Sequence, residues 1–262
     1  MLRATAAVVL TALIGLNPMA APVARTEAEG VVYRQTLPGV AWVVTEKSAA
    51  AGQPRVVEGT AWVADVRQRF LVTNHHVAAK GDAVRVYFPT EGQLGEVATS
   101  RDWYETHRPG IPGRVVAANE KKDLAVIQVP ELPPGVKALK LAGESPTPGE
   151  TTYTVGNAGS NQPLWGCANG TVRGVYNVTR PDFVGRVVES SVPADRGASG
   201  SPVVNAAGEV VGVVFARTRD GRSVTLCVEA AEVRSLLEQA EREVAKAEPR
   251  QAPQTGRRAN PW

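Results

Sequence analysis

The sequence predicts an all-β chain folded as two six-stranded antiparallel β-barrels with a C-terminal helix. Three observations carry this expectation: short apolar runs bounded by turn residues, a proline-rich crossing that divides them into two sets of six, and a final stretch whose apolar residues recur at helical spacing. The first set comprises Val40 to Thr45, Val56 to Ala64, Phe70 to Thr73, Ala83 to Phe88, Arg114 to Ala117 and Leu124 to Val129. The crossing runs from Pro130 through Pro133 and Pro134 to Pro146 and Pro148. The second set comprises Thr151 to Val155, Ala168 to Val175, Gly185 to Ser190, Pro202 to Val204, Val210 to Phe215 and Ser223 to Val228. Even spacing of this kind fits closed barrels, with a cleft expected where the two meet. Val233, Leu236, Leu237, Ala240 and Val244 then recur with Glu and Arg between them, the pattern of an amphipathic helix packed on a barrel. Barrel 1 is expected over about 40–130, barrel 2 over about 150–229 and the helix over 230–247, with 248–262 a Pro-, Gln- and Arg-rich disordered tail.

The chain has 262 residues, 29 Lys and Arg against 26 Asp and Glu, and a formal net charge of +3. The excess lies at the ends: residues 1–24 hold one Arg and no acid, and residues 249–262 hold three Arg and no acid. The central chain is close to neutral, so no nucleic-acid-binding face is indicated. Met1-Leu2-Arg3 followed by an apolar stretch from Ala4 to Leu16 and a small-residue exit reads as a secretory signal peptide over residues 1–24, cut near Ala21 or Ala24. The apolar core is short for a span, so no stable membrane segment is expected after cleavage; retention as an N-terminal anchor is the weaker reading. The two cysteines, Cys167 and Cys227, could form one disulfide in an exported chain or remain as separate thiols. So few soft ligands argue against a metal site, and nothing calls for a cofactor. The sequence carries no signal for oligomeric state.

The run Asp195-Arg196-Gly197-Ala198-Ser199-Gly200-Ser201-Pro202 sets a serine between flexible glycines ahead of an apolar strand. A serine hydroxyl is a weak nucleophile unless a base takes its proton and N–H donors face the charge formed on attack, and glycines let the backbone aim its amides that way. Only His75, His76 and His107 could supply the base. None follows Ser199, and Ser201 stands where a G-x-S-x-G elbow requires glycine, so the α/β-hydrolase order is excluded. His75 and His76 end the run Phe70-Leu71-Val72-Thr73-Asn74, a buried strand entering a turn. His107 lies in a polar stretch that reads as a surface loop. The orienting carboxylate should sit on a rigid element, and Asp123, opening Leu124-Ala125-Val126-Ile127, meets that requirement best.

Thr73-Asn74-His75-His76-Val77, then Asp123-Leu124-Ala125-Val126, then Gly197-Ala198-Ser199-Gly200-Ser201-Pro202 together resemble the chymotrypsin-fold (trypsin-like) serine proteases, whose chain order is His, Asp, Ser. Within them the strings are most similar to the bacterial HtrA (Deg) proteases; the S-G-S-P ending also occurs in glutamyl endopeptidases. The resemblance covers roughly residues 31 to 240, and a protease domain is expected over 31–247. It implies His76 as general base, since the family string puts the imidazole immediately before Val77, Asp123 as its partner and Ser199 as nucleophile. It also implies an oxyanion hole from the Gly197 and Ser199 N–H groups. Ala198 stands where pancreatic-type enzymes carry an aspartate that pairs with a newly cut N-terminus, so activation by that cut is not expected. Ser201 replaces a common glycine. No segment remains for a PDZ domain of the kind appended to many HtrA enzymes.

By the same resemblance Pro193, six residues before Ser199, lies at the base of the primary specificity pocket, where no acid is present to hold Lys or Arg. The strand ending Phe215-Ala216-Arg217 would pair with an extended peptide. The expected function is an exported, periplasmic or secreted serine endopeptidase acting on a protein or peptide substrate after small or medium apolar residues. The alternative is a catalytically silent protease-fold protein that binds peptides or a partner; the intact His76, Asp123 and Ser199 set favours catalysis.

Overall fold

β1 (Val40–Lys47) is buried at each of its first six positions, and its neighbours sort to two different cores. The computed structural model describes residues 27–47, 55–79, 82–92, 95–157, 162–217 and 224–247; the expected signal peptide, 1–24, and the tail, 248–262, lie outside them. Ala41 and Val43 point into a barrel with Ala61, Val63, Leu71, Val86 and Ile127. Val40, Trp42 and Val44 point outward into a second core with Trp62, Phe70, Tyr104 and Trp165. A strand buried on both faces reads as a continuous apolar run, which is why these segments lack a polar alternation. The bulkiest buried side chains, Trp42, Trp62, Trp165, Tyr104 and Phe70, all lie in the outer core, while alanines and valines fill much of the barrel.

β2 (Arg55–Asp65), β3 (Phe70–Thr73), β4 (Ala83–Tyr87), β5 (Ile111–Asn119) and β6 (Leu124–Gln128) complete the first barrel in the closed order β1-β2-β3-β6-β5-β4. β7 (Thr151–Gly156), β8 (Gly166–Thr179), β9 (Val184–Ser190), β10 (Pro202–Val204), β11 (Val210–Arg217) and β12 (Thr225–Glu229) form the second in the order β7-β8-β9-β12-β11-β10. The same winding thus occurs twice, all pairs are antiparallel, and closure leaves no free sheet edge along most of each strand. All twelve expected strands are present, most of them a residue or more longer than their apolar runs.

Among the described residues three α-helices surround the barrels. The C-terminal helix forms as expected, as α3 (Ala230–Ala247), with Val233, Leu236, Ala240 and Val244 buried. It follows the last strand of barrel 2 yet packs chiefly on β5 and β6 of barrel 1, strapping the two together. Two helices were not expected. α1 (Glu27–Thr36) lies on β7 and β8 with Val32 buried, and α2 (Arg101–His107) replaces the loop expected around His107. α2 is capped by Ser100, whose hydroxyl accepts from Trp103 N at 3.3 Å, and Tyr104 inserts between Trp42 and Trp165. His107 closes its last turn, with Nδ1 2.9 Å from Trp103 O and its ring stacked on Trp103.

The cysteines are thiols. Cys227 on β12 and Cys167 on β8 are separated by β9, so two inter-strand spacings of about 4.8 Å put their Cα atoms beyond disulfide reach. Burial pushes the Cys227 thiol far above its ordinary pKa.

At the barrel interface Thr60 of β2 meets three partners in barrel 2. Its N donates to Ser199 O at 2.8 Å, its Oγ1 donates to Gly197 O at 3.0 Å, and the same Oγ1 accepts from Asn157 N at 3.0 Å. Thr60 and Asn157 are both almost wholly buried. The isosteric change Thr60→Val leaves the half-buried Gly197 carbonyl and the buried Asn157 N–H without this partner, the N–H at about 1–3 kcal/mol and the carbonyl at less. A drop of that size in unfolding free energy, measured by urea denaturation, is expected.

Candidate active site

His76 leaves the end of β3 in a turn closed by Val77 N and Ala78 N, which both donate to Asn74 O at 3.2 and 3.1 Å. Asp123 reaches it from the neighbouring strand, because β3 pairs with β6 and Thr73 faces Ala125. The Asp123 backbone is left-handed, φ 48° and ψ 45°, at the end of a 3-10 turn over Glu120–Lys122. Aspartate tolerates this region better than most residues. The geometry turns its carboxylate back on the histidine: Oδ1 accepts from His76 N at 2.9 Å and Oδ2 lies 2.6 Å from Nδ1. An ionised carboxylate can only accept, so Nδ1 carries the hydrogen and Nε2 is left as an acceptor. Asn74, fully buried, donates from Nδ2 to Asp123 O at 2.9 Å and holds the acid from behind. The Asp123 side chain is 17% exposed and the imidazole 46%, so the pair opens to solvent on the histidine side. His75, half-buried, takes no part in the pair.

Ser199 lies in the loop ahead of β10. Gly197 and Gly200 both have positive φ, 90° and 86°. At position 200 a Cβ would fall 2.0 Å from Thr60 O and 2.5 Å from Thr73 Oγ1, so the site accepts only glycine. Ala198 N donates to Asp195 O, Gly200 N to Val214 O and Ser201 N to Ala198 O, at 3.0, 2.8 and 2.9 Å. Among the described residues the N–H groups of Gly197 and Ser199 have no protein acceptor. Unsatisfied and satisfied donors therefore alternate from Gly197 to Gly200, and the two unsatisfied ones flank Ala198. Gly59 joins the two halves: a Cβ there would lie 2.7 Å from Val77 Cγ1 and 3.1 Å from Ser199 O. The histidine turn and the serine loop both pack into the space that a side chain at this one glycine of β2 would fill. Among the described residues Ser199 Oγ makes no hydrogen bond.

Ser201 is buried, and its Oγ has no partner among the described residues. Its hydroxyl occupies the space that a Cβ at Gly156 would need, 2.0 Å away, so a glycine on β7 accommodates the serine two residues after Ser199. Pro193, Asp195 and Ala198 line a cavity of ≈ 140 Å³ with Thr154, Gly156, Ala168 and Ser201, so the pocket expected to lack an acid has Asp195 at its wall, two residues after Pro193. Phe215 sits at an irregularity in the β11–β12 register between Val214 and Ala216, and its ring stacks on Phe183 at 4.6 Å and 9°. Pairing with β10 ends at Val213, so among the described residues Ala216 and Arg217 are strand-paired only to β12, Phe215 falls in the irregularity, and the edge beside the serine loop is left open. The Arg217 backbone pairs with Thr225, and its side chain lies outside what is described. No group of three or more His, Cys, Asp or Glu among the described residues could hold a metal ion.

The sequence reading assigned no role to Thr60, Asn74, Asn157 or Gly156. Asn74 and Thr60 stand inside the strings Thr-Asn-His-His-Val and Gly-Thr-Ala-Trp-Val, but their contacts run to segments far along the chain.

A model of the trypsin-like peptidase domain family matches residues 59–213. The serine protease Rv3671c of Mycobacterium tuberculosis (strain H37Rv) is 27% identical over 202 residues, which are 74% of this chain and 45% of that protein. Serine protease MT3772 of strain CDC 1551 matches equally. The chain thus spans less than half the length of the curated relatives it matches. Among solved structures, the active form of the Rv3671c protease superposes with a TM-score of 0.66 at 24% identity, over 84% of this chain and 93% of that one. The HtrA-type protease AlgW with a tripeptide superposes with a TM-score of 0.62 at 17% identity, over 80% of this chain and 62% of that one. At these identities the structural likeness is one of fold.

Gly200→Ala tests the packing of the serine loop. The added methyl meets the Thr60 carbonyl, so a fall in thermal midpoint together with loss of Ser199 reactivity toward a fluorophosphonate is expected.

Proposed function

The chain belongs to the trypsin-like peptidase domain family, and from that we propose that it is a serine endopeptidase in which Ser199, His76 and Asp123 act as the triad. The observation that carries the reading is the meeting of a His76–Asp123 pair from barrel 1 with a serine loop from barrel 2 in which two N–H groups lack acceptors. Asp123 Oδ2 keeps the imidazole in the tautomer whose Nε2 can take the Ser199 proton. The alkoxide attacks the peptide carbonyl, the C–O bond to Ser199 forms, and the carbonyl electrons move onto oxygen. Gly197 N–H and Ser199 N–H then donate to that oxyanion, where the loss of one such donor lowers kcat on the order of 10²–10³-fold. His76 returns its proton to the leaving amine as the C–N bond breaks. Water, deprotonated by the same Nε2, hydrolyses the acyl-enzyme.

The substrate adds as a strand to the open edge of β11 at Phe215 to Arg217, beside the serine loop. Main-chain pairing supplies register there, and the cavity beside the serine loop is lined by Pro193, Ala168 and Ala198 with one acid, Asp195. Its small volume, ≈ 140 Å³, and its apolar residues support cleavage after small or medium apolar residues. Export to the periplasm or medium is supported by the charge and apolar pattern of residues 1–24. The described residues contain no helix long and apolar enough to cross a membrane.

A fluorophosphonate probe on purified protein is expected to label Ser199, and His76→Ala is expected to abolish the labelling. An unlabelled wild type, or labelling indifferent to His76→Ala, rejects catalysis in favour of a silent binding protein. In a peptide library, cuts are expected to cluster after small and medium apolar residues; clustering after Lys or Arg would overturn the role given to Pro193.

A further inference from the structure

The turn that carries Asp123 is held from outside its own barrel. It is one 3-10 turn, Glu120–Lys122, with Asn119 Oδ1 accepting from Lys122 N at 3.1 Å and Asp123 closing it in a left-handed conformation. Such turns are weak by themselves, and a non-glycine residue in that conformation adds roughly 1 kcal/mol of strain. The two lysines beside the acid both reach into the second half of the chain. Lys121 Nζ donates to Pro181 O at 2.6 Å, in the turn between β8 and β9. Lys122 Nζ pairs with Glu232 Oε2 in the first turn of α3. The other oxygen of Glu232 accepts from Arg186 N of β9 at 2.9 Å, so the carboxylate is pinned to the backbone of barrel 2. The β8–β9 turn is itself closed by Arg180 N to Phe183 O at 2.8 Å and braced by the Phe183–Phe215 stack.

We propose that Lys122 and Glu232 are positioning residues that, together with the Lys121–Pro181 contact, clamp the acid's turn of barrel 1 to α3 and β9. The inference rests on the serine-peptidase reading for its consequence, because Asp123 and His76 belong to barrel 1 and Ser199 to barrel 2. A clamp across that same interface fixes the distance over which the proton must pass. Partly exposed ion pairs contribute little to stability, so the function of this one is geometric. A displacement of about 1 Å at a reacting group can lower the rate on the order of a hundredfold.

Lys122→Met and Glu232→Gln in the full chain are expected to lower kcat about tenfold or more, with KM within about twofold. The double variant should be no worse than either single one, since both cut the same contact. Lys122→Arg, which keeps charge and reach, should retain most of kcat. A second readout needs no turnover: the downfield Nδ1–H proton signal of His76, which reports its bond to Asp123, should shift or weaken in Lys122→Met and return in Lys122→Arg. An unchanged signal and unchanged kcat in Lys122→Met would overturn the clamp. So would a loss shared by Lys122→Arg and matched by a collapse in thermal midpoint. If wild-type protein does not turn over but the signal responds as stated, the clamp stands and the peptidase reading falls.

Discussion

One residue of barrel 1, Thr60, holds the serine loop of barrel 2. Its N–H and hydroxyl take the carbonyls of Ser199 and Gly197, while among the described residues the N–H groups of those same two residues have no acceptor. The strand that carries Thr60 also carries Gly59, whose missing side chain is filled by Val77 and the Ser199 carbonyl. The histidine turn, the serine loop and the interface between barrels therefore share one short stretch of β2. Everything the site does depends on two independently closed barrels meeting in a single register.

The barrels can serve as rigid halves because several of their strands, β1, β3, β10 and β12 among them, are buried on both faces. Inward positions hold small aliphatic residues, and outward ones hold the tryptophans and tyrosines that pack the halves and α2 together. α3 adds a covalent strap, leaving barrel 2 and lying on barrel 1. The fixed strand spacing within each barrel also explains the cysteines, which an intervening strand keeps apart.

Two departures from the usual family pattern find physical counterparts elsewhere in the fold. Ser201 would crowd β7, and Gly156 supplies the room, so a glycine removed from one strand is present on its neighbour. Ala198 forgoes the ion pair that pancreatic-type enzymes make. The loop is instead held by backbone bonds to Asp195 and Val214 and by the two bonds to Thr60.

The twelve strands, the terminal helix and the order of His76, Asp123 and Ser199 were legible in the sequence, because apolar runs, turn residues and local motifs are encoded within a few neighbouring positions. The helices α1 and α2 were less visible: α1 carries Gly30 and one narrow buried face, and α2 spans only two turns, marked by its Ser100 cap alone. Thr60, Asn74, Asn157 and Gly156 gained roles, and the two lysines beside Asp123 their attachments, only in three dimensions. Each acts through a partner dozens of residues away, and no local pattern records which backbone carbonyl a closed barrel will bring beside it. The sequence by itself determined which residues are proposed to carry the chemistry, since their types and order are local properties. Their distances, tautomer and the direction of the loop's N–H groups were decided by the tertiary structure, because those follow from how two barrels pack.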